Sequence, residues 1–300
     1  MKILLFGKNG QVGWELQRTL APLGEVVALD ARGSADLRGD FTLPQQLAVT
    51  VRKVAPDVIV NAAAYTAVDK AESEPELALA INATAPSVLA REAAACGAWL
   101  VHYSTDYVFD GSGTRPWRED DATGPLNVYG STKLEGERAI RASGCHHLIL
   151  RTSWVYAARG NNFAKTMLRL AQERDHLKVI DDQVGAPTGA DLLADVTAHA
   201  LRAAVGNPGL AGTYHVTASG ETSWHGYARR VIEFARSAGH SVRVAPDAIE
   251  AVPSSAFATA AKRPHNSRMD TSMLKVAFGL TLPRWEVGVE RMLAEVVESR

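Results

Sequence analysis

The sequence predicts an α/β protein built on a doubly wound parallel sheet, with a smaller α/β lobe in its second half. In the first half, short apolar runs alternate at least four times with longer amphipathic segments, which is the pattern of βαβ units. The polar or small residues Gly10, Asp30, Ala63 and Thr105 each follow one of these runs. Because ligands of such sheets bind at the carboxyl ends of the strands, the same pattern predicts where a site lies.

Composition excludes several classes of protein. The chain has 32 basic and 33 acidic residues and a net charge of −1, so no field attracts nucleic acid or an anionic membrane. No apolar stretch approaches a membrane span, and no secretory signal follows Met1. Two cysteines, Cys96 and Cys145, make no disulfide framework. We therefore expect a cytoplasmic protein without nucleic-acid or membrane partners.

The first predicted strand, residues 2–6, leads into a glycine turn with the spacing Gly7-x-x-Gly10-x-x-Gly13 and then into a helix. Strand, glycine turn and helix in this order are the context of a dinucleotide site. Gly7 permits the tight turn, Gly10 lets the backbone approach a pyrophosphate, and Gly13 allows close packing of helix on strand. An ordinary strand-to-helix turn is the alternative that the spacing alone leaves open.

The second predicted strand, residues 26–29, ends in Asp30. A carboxylate there accepts hydrogen bonds from the adenosine ribose hydroxyls, which favours NADH. Arg32 is close enough to pair with a 2′-phosphate, so the residues leave NADH and NADPH both open. In the next turn, Asp40 is a candidate partner for the adenine amino group.

A third strand, residues 58–60, ends in a run of small residues that includes Ala63 and Ala64. Small side chains there let a flat ligand lie against the backbone, although simple close packing is an equal alternative. A long Ala-rich helical region follows over residues 75–96, and we expect Pro86 to kink or divide it.

The stretch from Trp99 to Lys133 carries the chemistry. A strand from Trp99 ends in hydroxyls and a carboxylate around Thr105, and the helix that follows places Tyr129 and Lys133 on one face. A nearby ammonium lowers a tyrosine pKa from its usual value of about 10. With Thr105 on the same oxygen, Tyr129 would protonate a carbonyl oxygen as hydride reaches its carbon. A solvated lysine and a packing tyrosine are the alternative.

The second half of the chain is less regular. We expect strands at 147–151 and 213–216, and helices that begin near residues 163, 191, 224 and 285. A cationic loop at 263–268 is a candidate clamp for a diphosphate. No histidine has metal-ligand spacing, and no G-x-S-x-G motif is present. The predicted sheet domain covers residues 1–152 plus returning segments near 176–222, and the predicted substrate lobe covers 153–175 and 223–300.

Together these motifs resemble the extended short-chain dehydrogenase/reductase superfamily and, within it, the dTDP-4-dehydrorhamnose reductase family. The resemblance covers nearly the whole chain and rests on these segments: Gly7–Gly13, Asn61–Asp69, Ser104–Phe109, Asn127–Lys133, Arg151–Tyr156, Gly160–Phe163, Gln183–Thr188 and Arg263–Ser267. It implies a Rossmann sheet that binds NADPH or NADH and a nucleotide-sugar substrate.

The resemblance also implies residue roles. Tyr129 is the proton donor, Lys133 its activator and Thr105 the hydroxyl that positions the oxygen. The implied cofactor contacts are Gly7, Gly10, Gln11, Val12, Asp30, Asp40, Phe41, Ala63, Ala64, Tyr65, Tyr103, Tyr129 and Lys133. The implied substrate contacts are Thr105, Asp106 and Trp154. A divalent metal such as Mg²⁺ and a homodimer come from the resemblance alone, without a ligand set in the sequence.

The activity implied is reduction of the C4 ketone of dTDP-4-dehydro-L-rhamnose in the supply of rhamnose for cell-surface polysaccharide. One alternative is a nucleotide-sugar epimerase or dehydratase on the same scaffold. Dehydratases carry Thr-Asp-Glu, whereas the third position here is Tyr107, which argues against dehydration. The other alternative is a non-catalytic nucleotide-binding regulatory subunit, against which the retention of Tyr129, Lys133 and Thr105 argues.

Overall fold

Strands and helices form where the alternation of apolar and amphipathic segments predicts them. A computed structural model describes residues 1–34 and 36–298. The strands are β1 (Lys2–Phe6), β2 (Glu25–Leu29), β3 (Val58–Asn61), β4 (Trp99–Thr105), β5 (His147–Thr152), β6 (Val155–Tyr156), β7 (Leu177–Ile180), β8 (Val184–Gly185), β9 (Thr188–Gly189), β10 (Gly212–His215), β11 (Thr222–Ser223) and β12 (Ile249–Val252). The helices are α1 (Gln11–Leu20), α2 (Pro44–Val54), α3 (Val68–Ala71), α4 (Pro75–Leu79), α5 (Ala85–Cys96), α6 (Val128–Ala142), α7 (Phe163–Glu173), α8 (Ala190–Gly206), α9 (Trp224–Ser237), α10 (Ser272–Phe278) and α11 (Trp285–Glu298).

Six strands form a parallel sheet in the order β10-β5-β4-β3-β1-β2. The chain order reverses at β1, because β2 pairs with one side of β1 and β3 with the other. Ligands of doubly wound sheets bind outside the carboxyl ends of the strands at such a reversal. The predicted doubly wound sheet is confirmed, including the return of the chain to the sheet as β10.

Helices cover both faces of this sheet, which explains why its strands are continuous apolar runs. On one face, α1, α8 and α10 pack through residues such as Leu16, Leu193 and Leu274. On the other face, α2, α5 and α6 pack through residues such as Leu89 and Ile140. The resulting three-layer sandwich leaves only the two edges of the sheet where the strands begin and end accessible to ligands.

A separate apolar cluster joins α7, α9 and α11 to a small sheet of β7 and β12. Tyr227 lies at its centre and is nearly fully buried. We propose two interwoven lobes that follow the clusters, with β7 in the second lobe and α10 in the first. This proposal differs from the sequence-based ranges, which assign 176–222 to the sheet domain and 223–300 to the other lobe.

The predicted break near Pro86 is confirmed. Helix α4 ends at Leu79, residues Ala80–Thr84 form a π-helical turn, and Pro86 lies in the first turn of α5. Proline lacks an N–H and clashes with the preceding turn, and a π turn widens the helix at that point. Asn82 in this turn exchanges hydrogen bonds with the Tyr65 backbone and so anchors the loop after β3.

Each cysteine comes just before a strand of the main sheet, so both lie at the opposite edge of the sheet from the carboxyl ends of the strands. Cys96 precedes β4 and is exposed, whereas Cys145 precedes β5 and is buried. Parallel strands begin at the opposite edge from where they end, so neither thiol lies at the predicted site. Within residues 1–34 and 36–298, no helix has both the length and the apolar character needed to cross a bilayer.

The contact of α6 with the π turn generates a stability prediction. A Cβ at Gly136 would lie 2.2 Å from the backbone oxygen of Asn82, so Gly136→Ala should destabilise the protein by about 2 kcal/mol or more through overpacking. Gly206→Ala is the matched control, because no atom lies within 4 Å of its Cβ and alanine favours a helix by up to about 1 kcal/mol. Urea unfolding measures both changes, and equal effects of the two substitutions would contradict the tight contact.

Candidate active site

A cleft of about 630 Å³ opens at the carboxyl ends of β1, β3, β4 and β5. Its walls come from the glycine turn, the strand ends and α6, together with Trp224 of α9. The structure brings together these predicted residues along the cleft: Gly10, Gln11, Val12, Ala64, Tyr103, Thr105, Asp106, Tyr129, Lys133 and Trp154. The cleft therefore collects the predicted catalytic residues and about half of the predicted cofactor contacts.

In the glycine turn, two glycines lie where a side chain would clash with the backbone, and a third faces the open cleft. A Cβ at Gly7, whose φ is +85°, would lie 2.7 Å from Ala62, and one at Gly13 would lie 2.1 Å from the Gly7 oxygen. At Gly10 a Cβ meets only the Gly7 oxygen, at 3.4 Å, and would occupy the cleft instead. Gly10 also caps α1 without a side-chain hydrogen bond. The first-turn N–H groups of α1 thus suit a phosphate.

Buried polar atoms in the cleft also fit a polar ligand. Among the described residues, Gln11 Oε1, Thr152 Oγ1 and Ser153 Oγ are buried without a hydrogen-bond partner. All three residues line the cleft. Since buried polar groups are almost always paired in folded proteins, these atoms are well placed to bind the hydroxyl, phosphate and amide groups of a dinucleotide.

Asp30 lies at the edge of this site and is held by two donors. Asn9 Nδ2 donates to its Oδ2 over 2.6 Å, and the Arg32 N–H donates to its Oδ1 over 3.0 Å. Asn9 lines the cleft, whereas Asp30 does not. Asp40, farther along, accepts from the backbone and hydroxyl of Thr42. Contact of either carboxylate with a nucleotide stays a prediction.

Four other residues predicted to contact the cofactor do not line the cleft, and each of them contacts another part of the protein. Gly7 makes the close approach already described. Phe41 is buried edge-on against Phe6, with ring centroids 5.5 Å apart. The Ala63 N–H donates to Asn61 Oδ1, and the Tyr65 hydroxyl donates to Glu74 over 2.5 Å. Their predicted contact with a cofactor remains a prediction.

Tyr129 and Thr105 meet in the cleft. Both side chains line it, the Thr105 hydroxyl lies close enough to affect the pKa of Tyr129, and it donates to Asp106 Oδ1 over 3.0 Å. Burial raises the pKa of Tyr129 to about 12, against a smaller opposing effect of Thr105. Lys133 does not contribute to this pKa in the free protein, where its Nζ contacts His102 and the Tyr103 oxygen, and its action on Tyr129 during the reaction stays a prediction. Tyr129 consequently holds its proton throughout the neutral range.

Lys133 is a buried residue, so the alternative of a solvated helix lysine is wrong. Only 2% of it is exposed. Its Nζ donates to the Tyr103 backbone oxygen over 2.6 Å and lies 3.2 Å from His102 Nε2. Burial lowers the pKa of Lys133 to about 8, and Glu137 opposes that shift. Lys133 therefore exchanges its proton near physiological pH.

Asp106 is the buried carboxyl of the site. Burial raises its pKa to about 6, although hydrogen bonds from Ser267 and Thr105 act in the opposite direction. A carboxyl with this pKa accepts hydrogen bonds from sugar hydroxyls at neutral pH. Its position beside Thr105 is consistent with the predicted substrate contact.

A stacked pair of tryptophans separates the cleft from a second cavity. The Trp154 and Trp224 rings are 3.7 Å apart at 14°, and both rings line the cleft and an adjoining cavity of about 710 Å³. Trp154 has a φ of +50°, a conformation that costs a non-glycine residue about 1–2 kcal/mol. Such strain is typical of functional sites, where the surrounding packing holds the residue in place.

The second cavity is apolar on one side and cationic on the other. Phe163 and Met167 form part of the apolar wall, and Lys178, Lys262 and Arg263 contribute the cations. The predicted cationic loop offers less free charge than the sequence suggests. Its two arginines are already paired, Arg263 with Asp69 and Arg268 with Glu221.

The sequence-based prediction missed several residues of the cleft wall. They are Asn9, Ala62, Thr66, Val68, Ser104, Tyr107, Thr152, Ser153, Val155, Gly160, Asn161 and Trp224. Ser104, Thr152 and Ser153 carry the same signal as Thr105, a hydroxyl at the carboxyl end of a strand. That signal could therefore have identified them from the sequence. Trp224 carries no such signal, since a helix of the second lobe brings it to the sheet.

The family model described as RmlD substrate binding domain matches residues 1–298. The chain belongs to this family. A curated dTDP-4-dehydrorhamnose reductase from Shigella flexneri is 60% identical to it over 296 residues, which are 99% of this chain and 98% of that relative. The predicted family is thereby confirmed.

Solved structures of the family share the fold of this chain. The dTDP-4-dehydrorhamnose reductase from Clostridium acetobutylicum is similar with a TM-score of 0.88 and 37% identity, over 99% of this chain and 100% of that one. The one from Bacillus anthracis, solved in complex with NADP, has a TM-score of 0.86 and 36% identity, over 98% and 99%. The predicted Rossmann-type fold is confirmed.

The metal implied by the resemblance has no counterpart in the side chains of this family member. In the part of the chain that the structure describes, no three His, Cys, Asp or Glu residues cluster so as to hold a metal ion.

The raised pKa of Asp106 predicts a pH-dependent stability. A carboxyl with a pKa near 6 in the folded protein and near 3.9 when unfolded destabilises the fold increasingly as pH rises between these values. Asp106→Asn should therefore stabilise the protein by about 2–3 kcal/mol at pH 8, and by roughly half as much at pH 5. Urea unfolding at both pH values measures this difference. A gain that is the same at pH 5 and pH 8 would contradict the raised pKa.

Proposed function

We propose that the protein reduces the C4 ketone of dTDP-4-dehydro-L-rhamnose to dTDP-L-rhamnose with NADPH or NADH. The observation that carries the proposal is the meeting of Tyr129 and Thr105 with the glycine turn in one cleft. Relatives at high identity are dTDP-4-dehydrorhamnose reductases, and a structural relative holds NADP. The reaction is the last step of dTDP-rhamnose synthesis and supplies cell-surface polysaccharide.

Residues of the cleft bind the ketone oxygen and supply the proton that the reduction consumes. The bound nicotinamide cofactor supplies a hydride. Thr105 and Tyr129, which both line the cleft, bind the ketone oxygen and hold it in place. Tyr129 keeps its proton until an alkoxide forms, because its pKa is about 12, and then donates it to the oxygen. The tyrosine recovers a proton from solvent, so one ketone, one hydride and one proton give one alcohol.

The second cavity suits the nucleotide part of the substrate. Its apolar wall and the adjoining tryptophan pair offer faces on which a base stacks. Lys178 and Lys262 supply positive charge for the diphosphate. The sugar would then lie between this cavity and the cleft, where Asp106 accepts from its hydroxyls. For assembly and location, we infer a homodimer and a cytoplasmic enzyme.

The geometry disfavours the epimerase and dehydratase alternatives. The residue after Asp106 is Tyr107, whose ring packs edge-on against Tyr129 with centroids 5.4 Å apart. Burial raises its pKa far above the neutral range, so it is no base for removing a carbon-bound proton. Cys96 and Cys145 lie at the other edge of the sheet, so neither supplies an acid or base for epimerisation.

The proposal is tested by mixing the protein with dTDP-4-dehydro-L-rhamnose and NADPH and following NADPH absorbance. Tyr129→Phe should lower kcat by about 10²–10⁴-fold, because it removes the proton donor, and should leave the Kd for NADPH unchanged. Tyr214→Phe is the matched control, since this buried hydroxyl donates to the Leu210 oxygen away from the cleft. Near-normal kcat in Tyr129→Phe would remove Tyr129 from the mechanism.

Cofactor preference depends on Asp30. Its carboxylate suits the ribose hydroxyls of NADH and repels the 2′-phosphate of NADPH. Asp30→Ala should raise the Kd for NADH about tenfold or more, since hydrogen bonds to charged groups contribute about 1.5–3 kcal/mol, and should raise that for NADPH less. Titration with both cofactors measures the ratio, with Asp247→Ala as the exposed-carboxylate control. Equal losses for both cofactors would mean that Asp30 does not contact the ribose.

A further inference from the structure

Beneath Lys133 lies a buried histidine that the proposed reaction does not use. His102, in β4, is fully buried, and its Nε2 lies 3.2 Å from Lys133 Nζ. On the other side of the ring, Asn61 Nδ2 lies 3.0 Å from His102 Nδ1. Asn61 and His102 are register partners in the neighbouring strands β3 and β4. The three side chains thus form a line from the middle of the sheet to α6.

The protein backbone fixes the orientation of this line. The Ala63 N–H donates to Asn61 Oδ1 over 3.0 Å, which leaves the amide nitrogen of Asn61 facing His102. An amide nitrogen only donates, so His102 Nδ1 must accept. A neutral imidazole that accepts at Nδ1 carries its proton on Nε2. That Nε2–H therefore faces Lys133 Nζ.

This arrangement distinguishes the two charge states of Lys133. If Nζ is an ammonium, two donors face each other over 3.2 Å. If Nζ is an uncharged amine, its lone pair accepts from Nε2–H while its own hydrogen still donates to the Tyr103 oxygen, over 2.6 Å. Burial acts in the same direction on both groups, since it lowers the pKa of Lys133 to about 8 and that of His102 well below 6.5.

The charged groups around Lys133 do not reverse this preference for the uncharged amine over the ammonium. Glu137, one turn along α6, raises the pKa of Lys133, but its carboxylate is held by Arg151 and Arg141. Asp106 and Tyr129 line the cleft, and Asp106 Oδ1 accepts a hydrogen bond from Thr105. The Tyr103 hydroxyl is bonded to Thr197 of α8.

Other titratable groups on the elements packed against α6 have their own partners or face solvent. Glu76 and Arg91 are exposed. The paired groups are Asp69 with Arg263, Glu72 with the Val128 N–H, Glu74 with Tyr65 and Lys70, and Glu92 with Arg52. His102 is thus the ionisable side chain that contacts Lys133 Nζ most directly.

We propose that His102 is a positioning residue for Lys133, and that its Nε2–H favours the amine over the ammonium and so sets the upper pH limit of reduction. The second half of this inference rests on the proposed function. In the proposed reaction, the predicted role of the Lys133 ammonium is to stabilise the phenolate that remains when Tyr129 gives up its proton. Loss of that ammonium near pH 8 therefore makes kcat fall at higher pH.

The tautomer is tested without substrate, by NMR of the whole chain labelled with ¹⁵N-histidine between pH 6 and pH 9. We expect His102 with a protonated Nε2 and an unprotonated Nδ1 throughout. His102→Gln identifies the signals by their loss. Asn61→Asp identifies them independently, because a carboxylate accepts from the ring and moves its proton to Nδ1. A protonated Nδ1 in the unsubstituted protein, as either tautomer or imidazolium, would overturn the inference.

The effect on Lys133 is tested by the pH dependence of kcat. In His102→Gln the amide oxygen accepts from the ammonium, so the fall in kcat should move to higher pH by about one unit or more. His215→Gln, which changes another fully buried histidine whose Nδ1 bonds to the Trp117 oxygen, should leave the fall where it is.

A lower kcat in His102→Gln with the same pH dependence indicates a merely structural role and rejects the proposal. If that variant does not fold, Asn61→Asp should produce the same upward shift, and an unshifted profile counts equally against it. If the unsubstituted protein fails to reduce the sugar nucleotide, the proposed function is wrong. The NMR tautomer then still decides whether His102 donates to Lys133.

Discussion

The close approach of the glycine turn to the sheet is the constraint on which the site depends. A Cβ at Gly13 would lie 2.1 Å from the Gly7 oxygen and one at Gly7 would lie 2.7 Å from the backbone after β3, so neither position tolerates a side chain. The Gly7 N–H also donates to the Leu29 oxygen of β2. These contacts pull α1 onto β1 at the point where the strand order reverses. The cleft that remains is lined by the glycine turn on one side and by strand-end hydroxyls on the other.

A buried ion pair fixes the other wall of the cleft. Arg151 of β5 donates to both oxygens of Glu137 of α6, over 2.8 and 2.7 Å, and both side chains are essentially inaccessible to solvent. Removing one partner of such a pair typically costs about 3–5 kcal/mol, because a charge is left buried. The pair joins α6 to the sheet one turn beyond Lys133. It therefore keeps Tyr129 and Lys133 in register with the end of β4.

The sequence was sufficient for the features that local spacing determines. A four-residue interval placed Tyr129 and Lys133 on one helix face, and apolar runs that end in hydroxyls located Thr105. It was insufficient where the outcome depends on what fills the space between elements. Lys133 contacts His102 from the middle of a strand, and burial raises the pKa of Tyr129, neither of which the four-residue spacing predicts. Trp224 reaches the cleft from the start of a helix that the sequence predicts, but no local pattern marks its contact with the strand ends.

The tryptophan stack gives the two binding regions a common wall. Trp154 follows β5 of the main sheet and Trp224 begins α9, and both rings pack against the apolar cluster of the second lobe. A ligand that reorients either ring changes the shape of both the cleft and the second cavity. The free energies of binding in the two regions are then linked, and the linkage has the same magnitude whichever ligand binds first. Cooperative binding of two ligands would follow from this shared wall without any contact between the ligands themselves.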